Sequence, residues 1–183
     1  HDLGDDRRTR LIEIIKELEN KGVHTIDFVN PTHFSHIVID TLSEYKPKVP
    51  VVYNSSGYDS VETLKKLEGL VDVYLPDLKY FSSEKSTQYA KCPDYFEKAS
   101  KSILEMYRQQ PKNEFKDGII QKGLIIRHLV LPKNVEESKN QLIAMLEDLL
   151  AKEQLDKKKK KLVEKYNMVM NTTLERSMTQ MCN

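Results

Sequence analysis

The chain has 183 residues, of which 39% are hydrophobic and 31% charged, and its 29 basic and 28 acidic residues leave a net charge of +1 at pH 7. This length suits one domain with room for an appendage. The balanced charge argues against nucleic-acid binding through bulk positive charge, and no apolar stretch is long enough to span a bilayer. The charged start also lacks the apolar core of a signal peptide. We therefore expect a cytoplasmic protein with no nucleic-acid or membrane partner.

Helix-like and strand-like segments alternate along the first 80 residues. Apolar residues at helical spacing predict a helix over about 5–20, which Gly22 ends. Thr32 is a predicted N-cap for a second helix that stops before Pro47, and Ser60 caps a third over 60–67. Between these helices, β-branched runs predict three strands, at 25–29, 49–53 and 71–75. This rhythm indicates βαβ units and a parallel sheet.

The rest of the chain is less regular. Helices are predicted over about 83–90 and 94–108, then a loop over 111–118 and a fourth strand over 123–131. A last core helix carries apolar residues up to Leu150, and five consecutive lysines at 157–161 are predicted to form a solvated helix end. We therefore expect an α/β domain over 1–150 and a lysine-rich helical tail of unclear role over 151–183.

Polar residues follow each of the four predicted strands. Ligands of parallel α/β proteins bind where strands end and the next loop begins. Asp77 and Lys79 are two residues apart, so on a strand they share one face and could both point at one ligand. A carboxylate and an ammonium group can bind the charged groups of such a ligand. Gly57 would let the backbone come close to that ligand.

Four of these segments resemble radical S-adenosylmethionine proteins, and within them the pyruvate formate-lyase-activating-enzyme-like group. The segments are GVHTIDFVNPTHF, PVVYNSSGYDSVETLKKLEG, VDVYLPDLKYF and GLIIRHLVLP. The resemblance covers roughly 11–150. It implies an α/β fold with parallel strands, a partial (β/α)6 TIM-like barrel that is incomplete at both ends, here followed by a C-terminal helical extension.

The resemblance also implies an activity. S-adenosylmethionine and a [4Fe-4S] cluster would sit at the carboxyl ends of the strands. Reductive cleavage of S-adenosylmethionine would then lead to hydrogen abstraction from a partner, which is a glycyl-radical enzyme or another protein substrate.

Ten cofactor-binding candidates follow from matching this chain to the family's motifs. Lys79 would pair with the methionine carboxylate, while Asp77 would orient it or help to hold a cation. Strand alternation lets only one of Arg127 and His128 face the site. The remaining candidates stand at the Gly-Gly-Glu and Asp-Thr-Asn-Gly-like positions of relatives, and they are Asn30, Thr32, His33, Asn54, Ser56 and Gly57.

The family's cluster loop, Cys-x3-Cys-x2-Cys, is absent from this sequence. The two cysteines, Cys92 and Cys182, are far apart and are expected to be free thiols. They cannot supply the closely spaced thiolates of a [4Fe-4S] cluster, so no metal ligand or catalytic residue is assigned. We expect a truncated chain that is inactive in radical chemistry without the missing loop.

Two other functions stay open from the sequence. A lysine at the end of a barrel strand, here Lys79, could form a Schiff base with a carbonyl substrate. Alternatively, the chain could be a non-catalytic remnant of the barrel that binds a ligand or a partner.

Overall fold

The computed structural model describes residues 3–128 and 135–152. The chain divides into two compact units, His1–Leu129 and Val130–Asn183. The first unit contains the whole sheet, and the described part of the second is a single helix. Among the described residues, no helix combines the length and apolar character needed to cross a bilayer.

A five-stranded sheet forms the centre of the first unit, with strand order β1-β2-β3-β5-β4. Neighbours among β1, β2, β3 and β5 run parallel, while β4 is antiparallel to β5. The predicted α/β class with a parallel sheet is therefore confirmed. The strands are β1 Ile26–Val29, β2 Val51–Ser55, β3 Val73–Pro76, β4 Glu114–Lys116 and β5 Ile119–Leu124.

One helix precedes the first strand and others connect the parallel strands, as the alternating pattern predicts. They are α1 Leu3–Asn20, α2 Ser35–Glu44, α3 Val61–Lys66, α4 Ser83–Ala90 and α5 Tyr95–Gln109, and α6 Val135–Lys152 lies in the second unit. Ser60 caps α3, since its hydroxyl accepts a hydrogen bond from the backbone N–H of Thr63. The predicted cap at Thr32 is wrong, because a 3-10 helix over Pro31–Phe34 comes first and α2 begins only at Ser35.

The two faces of the sheet differ in chemistry. Tyr53 and Tyr74 are paired in the register, are fully buried and meet edge to face at 6.1 Å between ring centroids. The Tyr74 hydroxyl donates to Gln109 Oε1 of α5 at 2.5 Å, so this face packs on helices. Side chains alternate along strands, so Asp27 and Asn54 lie on the opposite face.

The second and third strands begin two residues later than predicted, at Val51 and Val73. The residue before β2 is Pro50, which has no N–H to donate, and the Val51 N–H bonds the side-chain oxygen Oδ2 of Asp72 at 3.0 Å. Asn54 and Ser55 are therefore part of β2 and not of the turn after it.

The predicted loop over 111–118 and the fourth strand over 123–131 are both wrong in position. Asp117 and Gly118 have φ of 52° and 79°, which makes the two-residue turn of a β-hairpin between β4 and β5. Strand β5 ends at Leu124, and one further bridge joins Arg127 to Asp77. Residues 129–131 lie outside the described part, as does most of the tail over 151–183. The domain boundary at 150 stays a prediction.

Gly57 allows the turn after β2 to touch the end of β3. Its φ is +77°, and a Cβ placed there would collide with the carbonyl oxygen of Asp77. Only glycine permits both the positive φ and this contact.

We predict that Gly57→Ala lowers the free energy of unfolding by about 3 kcal/mol, since left-handed strain and a backbone clash add together. Gly69→Ala is the matched control, because Gly69 has φ of +80° and nothing within 4 Å of the added Cβ. It should cost only about 1 kcal/mol. Urea unfolding followed by circular dichroism suits this chain, which has no tryptophan. Equal losses in the two variants would contradict the close approach.

Candidate functional site

Three strand ends bring four polar side chains together on the first unit. Lys79 Nζ lies 3.0 Å from Asp77 Oδ2, and Arg127 Nε donates to Asp77 Oδ1 at 2.9 Å. Arg127 Nη2 also donates to Asn54 Oδ1 at 2.7 Å. The Asp77 carboxylate thus has one cation on each oxygen. We call Asn54, Asp77, Lys79 and Arg127 the strand-end cluster.

Backbone hydrogen bonds hold this cluster in place. The Asp77 N–H bonds the Ser55 carbonyl at 2.9 Å, and the Leu78 N–H bonds the Arg127 carbonyl at 2.8 Å. The carboxyl ends of parallel strands meet at one edge, so residues far apart in sequence become neighbours there. The side chains are reachable from solvent, because 36% of Lys79 and 44% of Arg127 are exposed while Asp77 is mostly buried.

The Asn54 amide has a defined orientation. Its oxygen accepts from Arg127, so its nitrogen faces the other way and donates to Asp27 Oδ2 at 3.3 Å. Sequence analysis missed Asp27, which is an exposed residue of β1. The sequence does single this residue out, since a charged residue inside a four-residue strand is unusual.

A second polar group lies behind the strand ends, around the buried carboxylate of Asp59. It accepts hydrogen bonds from the hydroxyls of Thr32 at 2.8 Å, Tyr53 at 3.0 Å and Ser55 at 2.5 Å. Burial raises the pKa of Tyr53, so its hydroxyl stays protonated and can donate. We call these four residues the hydroxyl cluster. Thr32, a ligand candidate from sequence, makes its hydrogen bond here.

Tyr95 of α5 joins the two loops that carry the candidates. Its buried hydroxyl lies 2.9 Å from the Ser56 carbonyl and 3.0 Å from the Asp77 carbonyl, and it accepts the Lys79 N–H at 3.1 Å. Burial raises the pKa of Tyr95, which keeps the hydroxyl protonated. The predicted residue Ser56 makes this contact through its backbone carbonyl.

The other predicted residues lie around this centre. Asn30 is exposed with φ of 51°, and its N–H bonds the Asn54 carbonyl at 2.7 Å. His33 is exposed in the 3-10 helix. His128 Nδ1 lies 2.6 Å from the Leu78 carbonyl, which can only accept, so Nδ1 carries the proton. Arg127 therefore faces the cluster and His128 does not, as alternation requires.

The described residues do not form a metal centre. Within 3–128 and 135–152, no group of three or more His, Cys, Asp or Glu side chains could hold an ion. The Cys92 thiol is half-buried and donates to the Ala90 carbonyl at 3.2 Å. Cys182 lies outside the described residues. The described donor set therefore does not fit a [4Fe-4S] cluster, which needs several thiolates close together.

We predict that Tyr95→Phe lowers the free energy of unfolding by about 2 kcal/mol, because the Lys79 N–H loses its acceptor and one of the Ser56 and Asp77 carbonyls loses its donor. Tyr58→Phe is the control. The Tyr58 hydroxyl donates to Asp94 at 2.6 Å and accepts from exposed Lys98 at 2.9 Å, so its loss should cost less than about 1 kcal/mol. Urea unfolding measures both. A Tyr95→Phe variant as stable as Tyr58→Phe would disprove this role of the Tyr95 hydroxyl.

Comparison with known proteins gives one informative relative. A stretch of 128 residues is 30% identical to an uncharacterized protein of Methanocaldococcus jannaschii and takes in 68% of this chain and 34% of that protein. The chain thus spans about a third of the length of the curated relative it matches. No protein-family model and no solved structure matches the chain. The similarity indicates a segment shared with a longer protein, whose name states no activity.

Proposed function

We propose that this chain provides part of the S-adenosylmethionine-binding surface of a radical S-adenosylmethionine protein of the pyruvate formate-lyase-activating-enzyme-like group. The observation that carries the proposal is the strand-end cluster, in which Asp77 lies between Lys79 and Arg127. These are residues that the resemblance assigns to the ligand.

The chemistry of the cluster suits the amino-acid end of that ligand. A carboxylate needs a cation, and Lys79 and Arg127 both expose donors. An ammonium group needs acceptors, and Asp77 provides a carboxylate nearby. The two signs of charge lie within hydrogen-bond distance of one another, so one zwitterion can reach both.

The order of the strands supports the proposed partial (β/α)6 barrel. Strands β1, β2, β3 and β5 lie side by side in chain order and run parallel. A doubly wound sheet would reverse this order at a switch point, whereas a barrel adds each strand beside the last. Strand β4 is antiparallel and would not belong to the barrel.

Cleavage of S-adenosylmethionine is not proposed for this chain alone. A [4Fe-4S] cluster supplies the electron for that reaction in the family, and the described residues do not fit the cluster. We propose that its ligands belong to a longer protein, where a glycyl-radical enzyme or another protein would be the partner.

The Schiff-base alternative is less well supported. Such a lysine is activated by desolvation or by a second cation. Lys79 instead faces the Asp77 carboxylate at 3.0 Å and keeps 36% of its side chain exposed. An exposed ion pair is not the desolvated setting that such a lysine needs.

We predict that isothermal titration of the 183-residue chain detects binding of S-adenosylmethionine, and that Lys79→Met weakens it about tenfold or more. Loss of one hydrogen bond to a charged group accounts for that factor. Lys101→Met is the matched control, since Lys101 is an exposed lysine of α5 that pairs with Glu97 at 2.8 Å. It should leave the affinity unchanged. Binding that is absent, or equal in the two variants, would overturn the proposed function.

A further inference from the structure

Helix α4 is almost entirely exposed, although it follows the loop that carries Lys79. Of its eight residues, Ser86 is buried and the other seven are exposed. Its largest apolar side chain, Tyr89, is 65% exposed. Helices in proteins gain most of their stability from packing an apolar face, and a helix this short is not stable by itself in water. Burial therefore contributes little to keeping α4 folded.

The hydrogen bonds at the two ends of α4 stay within the same segment of chain. The Ser82 hydroxyl caps the helix by accepting a hydrogen bond from the Lys85 N–H at 3.2 Å. At the other end, the Cys92 N–H bonds the Ser86 carbonyl at 3.3 Å. These bonds shape the segment but do not tie it to the sheet. We call residues 82–92 the flap.

Aromatic contacts fix the chain on both sides of the flap. Before it, the Tyr80 ring meets the Tyr95 ring of α5, with centroids 5.4 Å apart. The Phe81 ring meets the Phe96 ring of α5 at 4.9 Å. After the flap, the chain enters α5 at Tyr95, so both ends of the flap are held on one helix. A loop with fixed ends can open by breaking its own contacts while the rest of the fold stays in place.

Tyr89 connects the flap to the strand-end cluster. Its ring stacks on Tyr80, with centroids 6.2 Å apart and planes at 18°. Loss of such a ring pair shifts an equilibrium by roughly two- to tenfold. The Tyr80 ring also meets Tyr95, whose hydroxyl accepts the Lys79 N–H at 3.1 Å. Two ring contacts and one hydrogen bond thus lead from the flap to Lys79.

We infer that the flap opens by local unfolding while the sheet stays folded, and that a ligand bound at Lys79 favours the closed flap. The second part rests on the proposed function and describes how that site is regulated. The physical link is the segment 79–81, which Tyr95 contacts at both Lys79 and Tyr80. A ligand that orders this segment lowers the entropy cost of stacking Tyr89 on it. By reciprocity, a closed flap strengthens ligand binding by the same factor.

Hydrogen exchange of the full chain, followed by mass spectrometry in increasing low concentrations of urea, tests the opening. After correction for intrinsic rates, we expect the flap amides to exchange about tenfold or more faster than those of α5, at a rate that urea hardly changes. Exchange of α5 should accelerate with urea, because urea favours openings that expose much surface. If the flap and α5 accelerate together, the flap opens only when the whole unit unfolds, and the inference is overturned.

Tyr89→Ser distinguishes a flap from a frayed helix end, since serine and tyrosine have about the same helix propensity. We expect exchange to rise about fivefold across the whole flap and to stay unchanged in α5, because the stack on Tyr80 is lost. Phe115→Ser is the matched control, since Phe115 is a 63% exposed aromatic residue of β4. It should leave the flap unchanged. A rise confined to the last turn of α4, or no rise, contradicts the inference.

Addition of S-adenosylmethionine tests the coupling to the site. We expect exchange of the flap to slow about fivefold or more in the unaltered chain, and to stay unchanged in Lys79→Met at the same ligand concentration. If calorimetry detects binding but the flap exchanges as before, the coupling is disproved while the proposed function stands. If the chain does not bind S-adenosylmethionine, the proposed function and the coupling both fail, and exchange without ligand still decides whether the flap opens.

Discussion

The buried carboxylate of Asp59 is the constraint on which the strand ends depend. A buried charge without hydrogen bonds costs several kcal/mol, so its donors must stay in place. Those donors come from the 3-10 helix at Thr32 and from β2 at Tyr53 and Ser55. The Asp59 carbonyl also accepts from Ser102 of α5 at 2.5 Å. One residue thereby fixes three elements relative to one another.

Strand β2 supports the structure and the candidate site from its two faces. Tyr53 and Ser55 point to Asp59, and Asn54 between them points to Arg127 and Asp27. Side-chain alternation makes this division possible on consecutive residues. A one-residue shift in the register of β2 would remove the hydroxyl cluster and the strand-end cluster together.

Local patterns predicted the rhythm of the fold and the cap at Ser60. They could not predict contacts between residues that are distant in sequence, because strand register decides these contacts. Arg127, for example, contacts Asp77, 50 positions earlier, and Asn54, 73 positions earlier. Thr32 looked like a cap because its distant acceptor is not visible locally. The Asp117–Gly118 turn is different, because an Asp-Gly dipeptide is a hairpin signal that can be read from the sequence. The prediction of a loop over 111–118 did not use it.

The strand-end cluster adds little to folding stability, and this bears on its purpose. Ion pairs with cations that are 36% and 44% exposed contribute about 0–1 kcal/mol each. The geometry is already set by backbone pairing, by the contact at Gly57 and by the Tyr95 hydroxyl. Such a framework holds charged groups in place before any ligand arrives, which lowers the entropy cost of binding. Because the fold does not need the strand-end cluster for stability and yet keeps it rigid, we propose ligand recognition as its role.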